Sequence, residues 1–157
     1  MEQLNLPPYN YDVRNQSGRR VILDSVRKRF VPLTPEEWVR QHFVQYLISN
    51  LDVPPGLVGI EVTIPIQDRH YRADIVIYDR RVEPVMVVEC KRPSVQLSQD
   101  TFNQIGHYNA KLKVPYLVIT NGMQHYCCMV DHIHRSYRFL DEIPSYKTMI
   151  LPINHVQ

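Results

Sequence analysis

The chain has 157 residues, 44% hydrophobic and 22% charged, with a formal net charge of +2. It is long enough for one domain with a sizeable core, too short for two comfortable ones, and has neither an apolar run approaching a membrane span nor the basic and apolar regions of a signal peptide. The expectation is a single cytoplasmic domain over residues 1–157, with no membrane partner and no global charge that announces a nucleic-acid binder.

Residues 1–18 are rich in Pro, Asn and Tyr without clear periodicity, so they read as an extended arm, lying on the domain or disordered. Residues 21–24 suit a short strand. Thr34-Pro35-Glu36-Glu37 marks a helix start, with a threonine cap, proline at the first helical position and glutamate three residues after the cap. The spacing of Val39, Phe43, Tyr46, Leu47 and Leu51 predicts a core-facing helix running to about Asn50, before Pro54-Pro55-Gly56 breaks the chain. Residues 58–66 alternate at Ile60, Val62, Ile64 and Ile66, with Glu61 and Thr63 on the other face, and start a meander. Strands over 71–78 and 85–91 continue it. A helix over about 98–112, a strand over 115–120 and a closing hairpin of 126–130 with 137–140 complete the order.

The second and third meander strands carry charge where a sheet interior normally excludes it. Between them, residues 80–83 form the hairpin loop, with no Asn-Gly or Asp-Gly turn. In that register Asp79 faces Pro84, and counting back sets Asp74 directly opposite Glu89. Like charges so placed are destabilising, and a divalent cation between them resolves the conflict. Strand alternation puts Lys91 on the side of Glu89 and turns Cys90 away. Mg²⁺ or Mn²⁺ on two carboxylates, beside an ammonium that orients or deprotonates water, is equipment for cutting a phosphodiester. The plain alternative for a Glu-x-Lys triplet is an ordinary ion pair at a strand end. The facing Asp74, the apolar run before Glu89 and Pro93 closing the strand favour the functional reading.

Local charge patches are the candidate phosphate contacts. Arg19, Arg20, Arg27, Lys28 and Arg29 cluster before the first helix, and Arg69, Arg72, Arg80 and Arg81 lie along the hairpin. From these and the strand end we take Arg27, Lys28, Arg29, Arg72 and Arg92 as nucleic-acid-binding candidates. Cys90, Cys127 and Cys128 have neither zinc-ligand spacing nor a disulfide framework and read as buried thiols. His132 and His134 read as polar surface.

Taken together, Arg72-Ala73-Asp74, Glu89-Cys90-Lys91 and a Gln104 to Tyr108 helix motif resemble the PD-(D/E)XK nuclease superfamily. Within it they are most similar to the N-terminal nuclease domain of the restriction subunit of type I restriction enzymes. Thr34 to Gln41, Glu89 to Pro93, Gln104 to Asn109 and Ile119 to Gly122 carry the likeness, which covers roughly residues 20–130. The resemblance implies an α/β, restriction-endonuclease-like core, a central mixed β-sheet flanked by helices, and Mg²⁺-dependent cleavage of DNA. By matching position it implies Asp74, Glu89 and the Cys90 backbone carbonyl as metal ligands, Lys91 as catalytic lysine, and Gln104 and Tyr108 on one helical face lining the DNA side. Without the neighbouring motifs, those last two read as a polar helix face with an aromatic edge. The chain departs from the family in lacking a Gly-x-x-x-x-Gly-Lys-Ser/Thr phosphate loop, so the expectation is a nuclease-like protein, freestanding or beside other restriction subunits, and not a motor.

Nucleases of this superfamily often add a carboxylate from the first helix. Glu37 sits where a capping box would bond it back to the Thr34 N–H, so Glu36, on the core-facing stripe, is the expected site carboxylate. The competing function is a noncatalytic nucleic-acid-binding or assembly module. Retention of Asp74, Glu89 and Lys91 together argues against it, since facing carboxylates repel phosphate. RNA as substrate and a homo-oligomeric state stay open.

Overall fold

The computed structural model describes residues 1–152, and at Tyr108 the backbone alone. Two sheets organise it. Strands β1 (Val13–Gln16), β2 (Arg19–Asp24) and β3 (Arg29–Pro32) form a small antiparallel meander in sequence order. Strands β4 (Val58–Ile66), β5 (Arg69–Tyr78), β6 (Pro84–Cys90), β7 (Tyr116–Thr120), β8 (His125–Asp131) and β9 (Ser136–Leu140) form a second sheet in the order of the chain. It is mixed, because β6 and β7 pair in parallel while the other pairs are antiparallel. A parallel pair needs a long crossover, and helix α2 (Gln99–Leu112) supplies it. The fold is therefore α/β with a central mixed sheet flanked by helices.

Helix α1 (Pro35–Ser49) begins as its sequence predicts, with the Thr34 hydroxyl accepting the Glu37 N–H at 3.0 Å and Pro35 in the first turn. Val39, Phe43, Val44 and Leu47 pack one face of the large sheet with Ile75, Ile77, Met86, Val88 and Cys90. On the other face, Ile105 and Phe102 of α2 pack against Val87, Leu117 and Ile119. Ser98 caps α2, and Lys113 in the left-handed region ends it. A short helix, α3 (Tyr146–Met149), adds Tyr146 and Met149 to the α1-side core.

The arm is not featureless. Residues 13–16 pair with β2 through a turn in which Ser17 and Gly18 both have positive φ, at 51° and 79°. Further back, Leu4 is buried in the α1-side core, the Asn5 N–H donates to the Gly122 carbonyl at 2.9 Å, and Trp38 Nε1–H donates to the Glu2 carbonyl at 2.8 Å.

The meander differs from its expected regularity in two places. Tyr78, not Asp79, faces Pro84, across a bulge, and the loop is residues 79–83 with the Asp79 carboxylate accepting the Arg81 and Glu83 N–H groups. The inner register survives this, since Ile75 pairs with Val88. The alternation of β4 also breaks. Glu61 has a φ of 52°, and beyond it the strand changes sides: Ile60 packs with the α1 cluster, Val62 and Ile64 with the α2 cluster. In the partner strand Ala73 belongs to the α2 cluster and Ile75 to the α1 cluster. Asp74 lies at that switch, so the site is built on a local distortion of the sheet.

Among the described residues no helix is long and apolar enough to cross a membrane.

Candidate metal and nucleic-acid site

Continuing the β5–β6 register one step beyond Ile75 and Val88 sets Asp74 opposite Glu89. The ladder stops there because the Asp74 carboxylate takes over: its Oδ2 accepts the Cys90 N–H at 2.7 Å. Glu89 Oε2 accepts the Tyr71 hydroxyl at 3.0 Å, and Lys91 Nζ lies 3.7 Å from Glu89 Oε1. The Cys90 thiol points into the α1-side core, where burial raises its pKa well above the ordinary value and keeps it protonated.

Lys91 is held from its backbone. Its N–H donates to the Thr120 carbonyl at 2.8 Å, which ties the end of β6 to the end of the parallel β7. Asn121 secures the following loop, donating to the Val95 carbonyl at 2.9 Å while its own Oδ1 accepts the Met123 and Gln124 N–H groups. These positioning contacts escape sequence reasoning, although Ile119 to Gly122 drew attention as a motif.

Behind the two carboxylates lies an ion-pair network. Arg27 bridges Asp24 through Nε, Glu61 at 2.9 Å and Glu37 at 3.0 Å. Gln41 Nε2 donates to both Asp24 and Glu37 at 2.9 Å. Arg40 lies 3.0 Å from Glu61, 3.3 Å from Glu37, 3.4 Å from Asp74 and 3.5 Å from Glu36. Burial alone would raise the Asp24 pKa, but the Arg27 and Gln41 bonds hold it below its ordinary value. Glu61 is likewise held low, against its partial burial, by Arg40, Arg72 and Arg27.

Three expectations need correction. Arg27 is not a free phosphate contact, because its guanidinium is spent on three carboxylates. Glu37 is not turned back to the helix cap but buried against Arg27, Arg40 and Gln41. Glu36 is not on the core-facing stripe either; its side chain is 47% exposed at the rim. Its charge nonetheless raises the pKa of both Asp74 and Glu89.

The remaining candidates are placed as follows. Lys28, Arg29, Arg72 and Arg92 are exposed, with Arg72 3.0 Å from Glu61. Arg29 helps line a depression of about 420 Å³ shared with Glu36, Arg40 and Glu61. Gln104 is exposed on α2, and the Tyr108 side chain lies outside the described residues. His132 and His134 bond the Val114 carbonyl and Asp131, and the three cysteines are free and buried.

Glu89 is the electrostatic focus. Burial first, then the Asp74 charge, pushes its pKa up to about 7, against the pull of Lys91 and Tyr71. Asp74 is also raised, by burial and by Glu36, despite the Cys90 N–H and Arg40. Six carboxylates (Asp24, Glu36, Glu37, Glu61, Asp74, Glu89) against four cations (Arg27, Arg40, Arg72, Lys91) leave a formal −2 when all are ionised. A divalent cation would cancel that excess. Among the described residues no three His, Cys, Asp or Glu side chains form a metal cage. The donor set fits Mg²⁺ better than zinc or calcium, because Mg²⁺ binds through one or two carboxylates and keeps its waters.

No curated protein matches the sequence. A solved fragment assigned as the HsdR subunit of a type I restriction enzyme from Vibrio vulnificus YJ016 is similar in fold, with a TM-score of 0.51 at 19% identity, over 75% of this chain and 25% of that one. The chain thus spans about a quarter of that fragment's length. The family model for the type I restriction enzyme R protein N terminus matches residues 35–144, from the first turn of α1 through β9, and the chain belongs to that family.

Proposed function

We propose that this domain is a Mg²⁺-dependent DNA endonuclease of PD-(D/E)XK type, acting in a restriction system, alone or beside partner subunits. The observation that carries the reading is the convergence of Asp74, in the middle of β5, with Glu89 and Lys91 at the end of β6, among carboxylates that outnumber the cations around them. Membership of a restriction-enzyme family and the fold likeness support it.

Asp74 and Glu89, with the Cys90 carbonyl, would hold the ion, which when bound supplies Lewis acidity toward a phosphate oxygen. The residues of the chain do the rest. The Cys90 N–H fixes the Asp74 carboxylate, and Tyr71 fixes Glu89. Lys91, with its backbone anchored on Thr120, presents an ammonium next to Glu89, where it orients an attacking water and balances negative charge developing on the phosphate. Glu36 stands at the solvent rim as a further acceptor for a water proton. Exposed Lys28, Arg29, Arg72 and Arg92 would position the phosphate backbone.

One observation favours the noncatalytic reading: Arg40, 3.4 Å from Asp74, already gives that carboxylate a cation. Plasmid nicking separates the two. Wild-type protein is expected to nick DNA with Mg²⁺ or Mn²⁺ and not with EDTA. Lys91→Ala should lose cleavage while keeping DNA affinity, and Glu89→Ala should lose metal binding as well. Nicking that persists in Lys91→Ala rules out this catalytic centre, and wild-type protein that binds DNA but never cuts it, even with restriction partner subunits added, favours the binding module.

A further inference from the structure

A second site lies on the α2 face of the large sheet, two strands along from Glu89. Tyr126 of β8 and Tyr137 and Phe139 of β9 are exposed, and Phe102 of α2 leans over them. Ring centroids are 5.0 Å apart for Phe102 and Phe139, 5.7 Å for Phe102 and Tyr126, and 5.9 Å for Tyr137 and Phe139. The contacts are edge-to-face, and beyond them Tyr137 and Phe139 stay 57% and 47% exposed, which leaves ring surface open to solvent. A cavity of about 670 Å³ adjoins them between α2 and β8–β9, and Lys113 and Arg135 stand on its wall. Both cations are exposed, and neither is in an ion pair among the described residues. The one acidic side chain of the wall, Asp131, is bonded to His134 at 2.8 Å.

We propose that this groove binds unpaired nucleotides of a single-stranded nucleic acid, whose bases stack on Tyr137 and Phe139 while phosphates meet Arg135 and Lys113. Exposed rings interleaved with cations fit a ligand that alternates π faces with negative charge. A duplex hides its base faces inside the stack, so it cannot use the rings. The sheet register also links the two places: Glu89 pairs with Ile119, and Ile119 with Tyr126. At about 4.8 Å per strand, the rings begin roughly 10 Å from Glu89 along one row of the sheet. The groove needs no metal, so it stands apart from the nuclease reading.

The test is fluorescence anisotropy of the full chain, in EDTA, with a labelled oligothymidylate 12-mer and an abasic 12-mer of equal charge. Oligothymidylate should bind about tenfold more tightly than the abasic strand. Tyr137→Ala with Phe139→Ala, both at exposed positions, should remove that difference and leave abasic binding unchanged. Arg135→Ala should weaken both strands alike and lower the salt slope by about 0.7. Equal binding of the two strands by the wild type, or a ring variant that binds oligothymidylate as tightly as wild type, overturns the proposal. So does loss of self-association in the ring variant with oligonucleotide affinity intact, which would make the face a contact between copies.

Discussion

Asp74 and Cys90 are joined side chain to backbone, the Oδ2 of one accepting the N–H of the other at 2.7 Å where the β5–β6 ladder ends. An aspartate thus replaces a strand-to-strand bond and is pinned in a half-buried position beside Glu89. Burial and this neighbouring charge together make Glu89 reluctant to ionise, with a pKa of about 7. The charge of this pair therefore changes across neutral pH.

Metal binding should show it first. A metal ligand must be ionised, so apparent Mn²⁺ affinity should rise through pH 7, being about tenfold weaker at pH 6 than at pH 8. Isothermal titration calorimetry across that range reads it directly. An affinity flat in pH would mean that Glu89 is not a ligand.

Stability without metal should move the other way. The folded pKa of Glu89, about 7, lies above its ordinary 4.5. The folded chain therefore holds a proton that the unfolded chain releases earlier, and stability is lost as pH rises from about 4.5 through 7. Glu89→Gln should accordingly stabilise the metal-free protein at pH 8, by on the order of 1–2 kcal/mol, and much less at pH 5. Urea denaturation in EDTA at the two pH values decides it, and a variant gap equal at both would contradict the raised pKa.

Arg27 should matter for folding more than for DNA. Asp24 is 0% exposed, and Arg27→Met would strand it along with Glu37 and Glu61. Removing one partner of such a buried cluster costs about 3–5 kcal/mol. A urea midpoint close to that of the wild type would show that Arg40 and Gln41 satisfy the carboxylates unaided.

Gly122 should resist any side chain. Its φ is 85°, and a Cβ there would sit 2.8 Å from Leu4 Cδ2. Gly122→Ala is expected to cost about 1–3 kcal/mol in backbone strain and clash. In Gly122→Ala with Leu4→Ala, the combined loss should be smaller than the sum, because the second change removes the clash. Strict additivity in thermal denaturation would place the whole penalty in the backbone.

Elements with strong local chemistry were legible from the residues alone. Thr34-Pro35 set the start of α1, and the β-branched runs set β4 to β7 almost to the residue. The Asp74–Glu89 register is legible too, although the loop beside it differs from expectation, because a bulge at Tyr78 absorbs the extra residue. Strand β1 is not legible from its own residues, which show no apolar alternation, and the Ser17-Gly18 turn is the local feature that marks it. The Glu36 and Glu37 environments, and the capture of Arg27, depend on where the small sheet docks. No local pattern encodes that. The face change at Glu61 is a backbone choice that a β-propensity reading assigns to glycine or asparagine, and here the Arg27, Arg40 and Arg72 guanidinium groups around Glu61 accompany it.

The position of Arg27 also bears on how the domain can be cut. The family match begins at residue 35, whereas Asp24 and Arg27 precede it on and after β2. A fragment trimmed to the matched boundaries would keep Glu37, Glu61 and Gln41 but discard the guanidinium and carboxylate that neutralise and orient them. Its failure to fold or cut would then report on the trimming and say nothing about the chemistry at Asp74, Glu89 and Lys91.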